Sequence, residues 1–219
     1  QPATIVTQLG TLAVVGAYGA SRLDLSAHGT LDVARALPLA DGLLDDARGS
    51  AELTVRVTGS AKAPRLKATL DVQDVAVRPA RQEAWLRIPA GKIEIDDATG
   101  PAAGPGRRAV SFTGLSLEVD DGYSNDRASL GVAGGIVLEG ATPIEWNVII
   151  AGALGGEMLV LAAPGELASA SGAADVNLRL FDKGARPRID GTVTFDAARP
   201  LTLFPRSVRR ELALSEGTI

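Results

Sequence analysis

The feature that most constrains this chain is the alternation of apolar and polar residues with a period of two. In residues 52–58, Leu53, Val55 and Val57 alternate with charged or hydroxyl-bearing residues. Successive side chains of a strand point to opposite faces, so this pattern predicts a strand with one apolar face. The pattern recurs in residues 66–72, 115–120 and 175–180, and more weakly in 23–27, 86–95, 110–113, 144–150 and 189–195. The sequence therefore predicts an all-β protein.

Turn-forming residues separate these runs, as in residues 59–64, 182–187 and 197–200. Parallel strands need crossovers of about a dozen residues or more, and these connections are shorter, so we expect a mainly antiparallel sheet. About 12–15 strands spaced about 4.8 Å apart would extend over roughly 60–70 Å. Helical signals are limited to one or two short helices, in residues 34–47 and 205–212. The Gly-, Pro- and Ala-rich residues 97–108 predict a flexible loop.

The apolar face of these strands is aliphatic, because aromatic residues make up 4% of the chain while hydrophobic residues make up 46%. Two short helices cannot cover so many one-sided strands, so the sheet must close, form a sandwich or curl to bury its apolar face. A tight core between two sheets commonly uses large aromatic residues, and their scarcity favours an open groove. If the two walls of the sheet instead pack tightly, the same strands form a sandwich.

A gap-free internal repeat supports an elongated architecture. A shift of 123 residues superposes Gly49 on Gly172, Pro64 on Pro187 and Arg65 on Arg188, together with a series of apolar positions. Each copy combines a helix-like or irregular crossing segment, a one-sided strand, a turn closed by Pro-Arg and a second one-sided strand. Repetition of this kind favours a quasi-one-dimensional sheet. The domain prediction is one elongated segment over residues 1–219, with copies at about 23–80 and 146–203.

These copies carry a family resemblance. The glycine-led strand of residues 49–59, its turn up to Pro64 and the returning strand of residues 65–72 resemble the degenerate repeat of TamB and its AsmA-like relatives. Residues 172–195 show the pattern again, with Asp182 in the place of the turn glycine. Residues 201–219 resemble the start of a new strand pair in that family. Residues 100–142 match it poorly and show only the alternation.

The resemblance implies a non-enzymatic segment of a longer periplasmic protein, anchored in the inner membrane of a diderm bacterium. The membrane anchor is then expected outside this fragment. The resemblance also implies the fold, an elongated, mainly antiparallel sheet curled into a U-shaped groove, the β-taco. In that family the groove is associated with phospholipid transport between the inner and outer membranes. An outer-membrane barrel-assembly protein is a further partner that the resemblance leaves open.

On this interpretation, phospholipid acyl chains contact the apolar face of the strands in both copies. The predicted lining residues are Leu53, Val55, Val57, Leu66, Leu70, Val72, Val176, Leu178, Leu180, Ile189, Val193 and Phe195.

Residue chemistry gives little support to other functions. The chain has 22 Lys and Arg against 26 Asp and Glu, so it lacks the basic excess expected of a nucleic-acid-binding protein. It has no cysteine and a single histidine, His28, which the alternation places on a polar strand face. Asp120, Asp121, Asn125 and Asp126 form the densest oxygen cluster, and their spacing does not match an EF-hand. We predict no catalytic site, metal or cofactor.

Two alternatives to lipid transport remain open at this point. An open edge strand is suited to pairing with strands of other proteins, as in a chaperone or scaffold for outer-membrane protein assembly. A structural β-module of a surface protein would instead pack its two walls tightly and leave no groove.

Overall fold

A computed structural model of the protein describes residues 3–7, 10–19, 22–40, 42, 44–80, 82–97, 104, 106–120, 128–208 and 210–219. Within these residues the chain forms fifteen strands and two short helices. The strands are β1 (Ala3–Thr7), β2 (Gly10–Tyr18), β3 (Leu23–Asp32), β4 (Leu44–Ser60), β5 (Ala63–Pro79), β6 (Trp85–Asp97), β7 (Arg107–Asp120), β8 (Ser129–Glu139), β9 (Thr142–Gly155), β10 (Leu167–Ser171), β11 (Ala173–Lys183), β12 (Arg188–Phe195), β13 (Leu201–Pro205), β14 (Leu212–Leu214) and β15 (Gly217–Thr218). The α-helix α1 covers Gly156–Ala162, and a 3-10 helix covers Ala34–Ala40.

Twelve of the strands form one sheet in the order β1 to β9, β11, β12 and β15. Every adjacent pair is antiparallel, so the prediction of an all-β, mainly antiparallel fold is confirmed. The described ladder begins at β1 and ends at β15, which leaves the sheet open. Eleven steps of about 4.8 Å give a length of roughly 50 Å, shorter than the predicted 60–70 Å. The difference arises because β10, β13 and β14 form a separate small sheet.

Two strand pairs of the main sheet, β4–β5 and β7–β8, contain a β-bulge in the middle part of their strands. Between β4 and β5, the register shifts next to Gly49, which has φ 103°, opposite Asp74, which has φ 50°. In β7, the register against β8 shifts between Phe112 and Leu115, and Gly114 between them has φ 59°. Bulges bend a strand and increase its local twist. The bulges therefore curl the sheet along a line that crosses several strands, and we call this line the bend.

The bend divides each of these strands into two arms. We call the arms that end at the β4–β5 and β6–β7 turns the long arms, and the arms on the other side of the bend the short arms. The bend also changes the alternation. Leu70 and Val72 point to the core side before the bulge in β5, and Val75 and Val77 point there after it.

The second copy has the same two arms, although they belong to different sheets. A shift of 123 residues places Leu44–Ser60 of β4 on residues 167–183, the combined span of β10 and β11. Gly172 separates these two strands and has φ 77°, as its counterpart Gly49 has φ 103°. The small sheet is therefore the short-arm region of the second copy, detached from its long arms at the bend.

The crossing segments of both copies begin with the same hydrogen bond. The Val33 N–H donates to Gly49 O at 3.1 Å, and 123 residues later the Gly156 N–H donates to Gly172 O at 3.0 Å. The 3-10 helix follows the first of these donors and α1 begins at the second. Both helices therefore lie at the same edge of the main sheet, which we call the crossing edge.

The helix predictions were only partly right. The predicted helix over residues 34–47 is a 3-10 helix that ends at Ala40, after which β4 begins. The prediction for residues 205–212 is wrong, because Pro205 ends β13 and Leu212 begins β14. The sequence analysis did not assign a helix to the residues of α1, although the repeat predicts a helix-like or irregular crossing segment there. Most of the predicted loop at residues 97–108 lies outside the described residues.

Three buried clusters lie near the bend. The first consists of Ala51, Val72 and Val75, with Val33 packed against it. The second consists of Leu130, Met158 and Val176. The third consists of Ala174, Phe195 and Leu201, so it joins the main sheet to the small one. The core therefore follows the line of the bend from one copy to the other.

Candidate functional site

One face of the main sheet is apolar without interruption across most of its strands. Residues that pair in adjacent strands project to the same face, so the register shows which side chains lie side by side. One such row crosses ten strands, from β2 to β12. Its members are Leu12, Gly29, Leu53, Leu70, Ile93, Phe112, Gly134, Val148, Leu180 and Ile189. We call this surface the groove face.

The structure places all the predicted lining residues on the groove face. In the first copy, Leu53, Val55 and Val57 pair with Leu70, Ala68 and Leu66, and Val72 pairs with Ala51. In the second copy the pairs are Val176 with Val193, Leu178 with Gly191, Leu180 with Ile189 and Phe195 with Ala174. The contact of these residues with lipid stays a prediction.

The middle strands supply further groove-face residues that the sequence reasoning did not assign. Ile95 pairs with Val110, Val110 with Ile136 and Ile136 with Trp146. Weak alternation in residues 86–95 and 110–113 was the available signal. These strands connect the two copies, so the groove face is one surface and not two.

The groove face is filled near the bend, and toward the hairpin turns its exposure is mixed. Val148 in the row and Leu23 beside the β2–β3 turn are buried, with 6% and 9% of their surface exposed. Val72, Val176 and Phe195 lie near the bend and are buried, with 6%, 5% and 8% of their surface exposed. Val55 and Leu180, farther along the long arms, are half-buried. Ile189 lies next to the β11–β12 turn and is 67% exposed. Aliphatic side chains are thus accessible along the outer part of the long arms.

The helix α1 provides part of the filling at the crossing edge. Met158 is 7% exposed and packs against Leu130 and Val176 on the groove face. Leu201 of the small sheet covers Ala174 and Phe195 in the same way. Protein side chains therefore fill the groove near the bend, and the groove is accessible from the long-arm side.

The opposite face of the sheet is mostly polar and carries cross-strand ion pairs, although Val15 and Ile149 are also exposed on it. Arg56 and Asp24 approach to 3.3 Å, and Lys92 and Asp71 to 3.6 Å. His28 is exposed on this face, as predicted, and its Nδ1 lies 3.0 Å from Thr54 Oγ1. Such exposed pairs contribute little to stability, about 0–1 kcal/mol each, and their main effect is to keep this face solvated.

The described residues contain no group of three or more His, Cys, Asp or Glu side chains arranged to hold a metal ion. Of the predicted oxygen cluster, Asp121, Asn125 and Asp126 lie outside the described residues. Trp85 packs under the Arg48 guanidinium, whose carbon lies 4.3 Å from the ring centre.

Comparison with known proteins gave no significant match to a family model, a curated protein or a solved structure. No helix within the described ranges is both long and apolar enough to cross a membrane. Within the described residues, the groove face is the feature that points to a function.

Proposed function

We propose that this chain is a non-enzymatic segment of a lipid-transport protein, in which phospholipid acyl chains lie against the groove face. The observation that carries the proposal is the continuous apolar row from β2 to β12, which remains partly open along the long arms. A structural module would cover such a surface, because leaving aliphatic side chains in water forgoes their contribution to stability.

The energy available in such a groove suits a lipid. Each buried methylene contributes about 0.8 kcal/mol, so a long acyl chain gains on the order of 10 kcal/mol before the costs of binding. Neighbouring positions in the row are similar aliphatic side chains, such as Leu53, Leu70 and Ile93. Binding energy that varies little from strand to strand allows an acyl chain to move along the groove without a deep trap.

We place this function in the periplasm of a diderm bacterium, in a TamB- or AsmA-like protein anchored to the inner membrane. The support is the resemblance of residues 49–72 and 172–195 to the repeat of that family, and a curled antiparallel sheet is compatible with its β-taco. The segment then forms part of a conduit that carries phospholipid between the inner and outer membranes.

Site-specific photo-crosslinking tests the proposal. A photo-reactive amino acid at Val55, on the groove face, should crosslink to phospholipid when the chain is incubated with vesicles of phosphatidylethanolamine and phosphatidylglycerol. The matched control is Thr54, the residue before Val55 in β4, whose side chain points to the polar face. Crosslinked lipid is identified by mass spectrometry.

A charged residue on the groove face should block this reaction. We expect Leu180→Asp to reduce crosslinking by tenfold or more from a second photo-reactive position, Ile189, which pairs with Leu180 on the groove face, because the carboxylate would have to lie beside the acyl chain. Leu180 lies outside the three buried clusters, so the fold should persist, which circular dichroism checks. Leu178→Asp is a poorer choice, since Leu178 packs against the Met158 cluster. Equal crosslinking from Val55 and Thr54 would contradict the proposal.

A further inference from the structure

Strand β12 is covered on its outer side along only part of its length. Thr194 and Phe195 pair with β15, whereas the outer side of residues 188–192 pairs with no strand among the described residues. All five of these residues are exposed, and Ile189, on the groove face, is 67% exposed. We call residues 188–192 the β12 edge. An uncovered strand of this kind is a template for pairing with another strand.

The backbone of the β12 edge presents hydrogen-bonding groups to its outer side. Val193 exchanges two backbone hydrogen bonds of 3.0 Å with Ile219, so its N–H and C=O point outward. Every second residue of a strand directs these groups to the same side, so Ile189 and Gly191 also direct theirs outward. The Gly191 N–H donates to Asp190 Oδ1 at 3.0 Å, and this carboxylate therefore caps one of the outward groups.

The first copy shows what covers the equivalent edge. A shift of 126 residues places Leu212–Leu214 of β14 on residues 86–88, and Gly217–Thr218 of β15 on residues 91–92. Strands β14 and β15 together therefore correspond to β6, and their cross-strand pairs agree with this. The matching pairs are Leu201 with Leu214 and Val75 with Ile88, and Phe195 with Gly217 and Val72 with Gly91.

In the first copy, β6 covers the counterpart of the β12 edge with residues of alternating chemistry. Ile95 lies opposite Ala68 on the groove face, and Asp96 lies opposite Lys67 on the polar face. Opposite charges at directly paired positions stabilise neighbouring strands. Strand β6 thus continues the apolar face and also supplies a charge complementary to that of β5.

The β12 edge has the same pattern with the charge reversed. Gly191 is the counterpart of Ala68, and Asp190 is the counterpart of Lys67. On its inner side Asp190 faces Arg179, but it forms no ion pair among the described residues. A strand complementary to this edge therefore has a basic residue opposite Asp190.

The groove face of the β12 edge is complementary to aliphatic side chains. Gly191 has no side chain and pairs with Leu178, so a large aliphatic residue opposite Gly191 can reach across it to Leu178. Two residues farther along the incoming strand, a second aliphatic residue covers the exposed side chain of Ile189. The apolar row of the groove face then continues into the incoming strand.

A second copy of the chain is poorly suited to this edge. Two β12 edges that pair antiparallel about their centres would place Asp190 of each copy opposite Asp190 of the other. Like charges at directly paired positions destabilise neighbouring strands. The occupant with complementary charge is a strand from a different protein.

We propose that the β12 edge is a docking site for an extended strand of a partner protein, with the sequence pattern polar, aliphatic, basic, aliphatic. These residues lie opposite Thr192, Gly191, Asp190 and Ile189, antiparallel to β12 and in the register that β15 begins. A C=O of the incoming strand replaces the Asp190 carboxylate at the Gly191 N–H, and the released carboxylate pairs with the basic residue. Backbone hydrogen bonds provide the affinity of such strand addition, and alternate side chains provide its specificity. This site goes beyond lipid binding and does not depend on it.

Peptide binding to the full chain tests the site. The probe is the peptide Gly-Thr-Ile-Thr-Ile-Lys-Val, which repeats residues 217–219 and adds the proposed pattern. At saturating peptide, we expect amide exchange of Ile189 and Gly191, measured by NMR, to slow by about tenfold, because their N–H groups become hydrogen-bonded. Exchange in β1, at the other end of the sheet, should stay unchanged. A peptide with Glu in place of Lys should bind about fivefold more weakly.

The variant Asp190→Asn tests the assigned register, because it removes the charge and keeps an oxygen that can accept the Gly191 N–H. It should bind the two peptides equally. The matched control is Asp175→Asn, which removes an exposed carboxylate from the same face of β11 and should keep the preference for the Lys peptide.

Two kinds of result overturn the proposal. Unchanged exchange of Ile189 and Gly191 with both peptides means that the edge is not a docking site. Equal binding of both peptides by the parent chain, or a preference that persists in Asp190→Asn, means that the register and the partner chemistry are wrong.

A third result would identify a different occupant. If exchange at these residues slows with rising protein concentration and no peptide, a second copy occupies the edge, which also overturns the proposal. Lipid crosslinking from Val55 is measured separately, so failure here is distinguishable from failure of the proposed function.

Discussion

At the scale of single residues, the shape of the groove depends on two glycines at equivalent positions. Gly49 and Gly172 have φ angles of 103° and 77°, in a region that residues with a Cβ rarely adopt. Both also lie against neighbouring backbone. A Cβ on Gly49 would lie 2.6 Å from Asp74 O, and one on Gly172 would overlap Pro200 O. Neither position tolerates a side chain without movement of the partner strand.

We therefore expect Gly49→Ala and Gly172→Ala each to lower the free energy of unfolding by at least about 1–3 kcal/mol. Urea unfolding followed by circular dichroism measures the change. Gly165→Ala is the control, because a Cβ there meets nothing within 4 Å. Should the three alanine variants prove equally stable, the bend does not depend on these glycines.

At the scale of elements, alternation in the sequence predicted eight strands of the main sheet and their common face. It did not identify β1, β2, β8 or β15. Residues 52–58 and 66–72 pair as their apolar positions indicate. Alternation could not predict the bulges, because one added residue reverses the pattern, as between Val72 and Val75 in β5. The residues at this bulge are Gly49 and Asp74. In the sequence each of them looks like part of an ordinary polar turn.

The missed helix has a related cause. Residues 156–162 contain five apolar residues in seven, and periodicity cannot distinguish so short a run from a buried strand. The repeat held better information, since a shift of 123 residues aligns this run with the 3-10 helix.

The packing of α1 on the groove face predicts that Met158 contributes strongly to stability. We expect Met158→Ala to cost about 2–5 kcal/mol, because it leaves a cavity between Leu130 and Val176. Met158→Leu keeps most of the volume and should cost less than about 1.5 kcal/mol. Thermal unfolding of the two variants provides the comparison. Similar losses for both would mean that the site responds to shape alone and not to the removal of buried volume.

At the scale of the whole molecule, the main sheet is a ladder in which each strand pairs only with its neighbours in the strand order. Apart from β9 with β11 and β12 with β15, these neighbours are also consecutive in sequence. In such a quasi-one-dimensional structure, stability is approximately a sum of local terms and interfaces between neighbours. The two copies should then open independently, although one groove face connects them.

Hydrogen exchange with paired core variants tests this independence. Val72 and Phe195 occupy equivalent positions in the two copies and belong to different buried clusters. We expect Val72→Ala to speed amide exchange by about tenfold in β4, β5 and β6, the change that a local loss of about 1.4 kcal/mol produces. Exchange in β11 and β12 should stay unchanged. Phe195→Ala should give the reverse distribution. Faster exchange across all strands in either variant would mean that the sheet unfolds as one cooperative unit, and the groove could not open locally to admit a lipid.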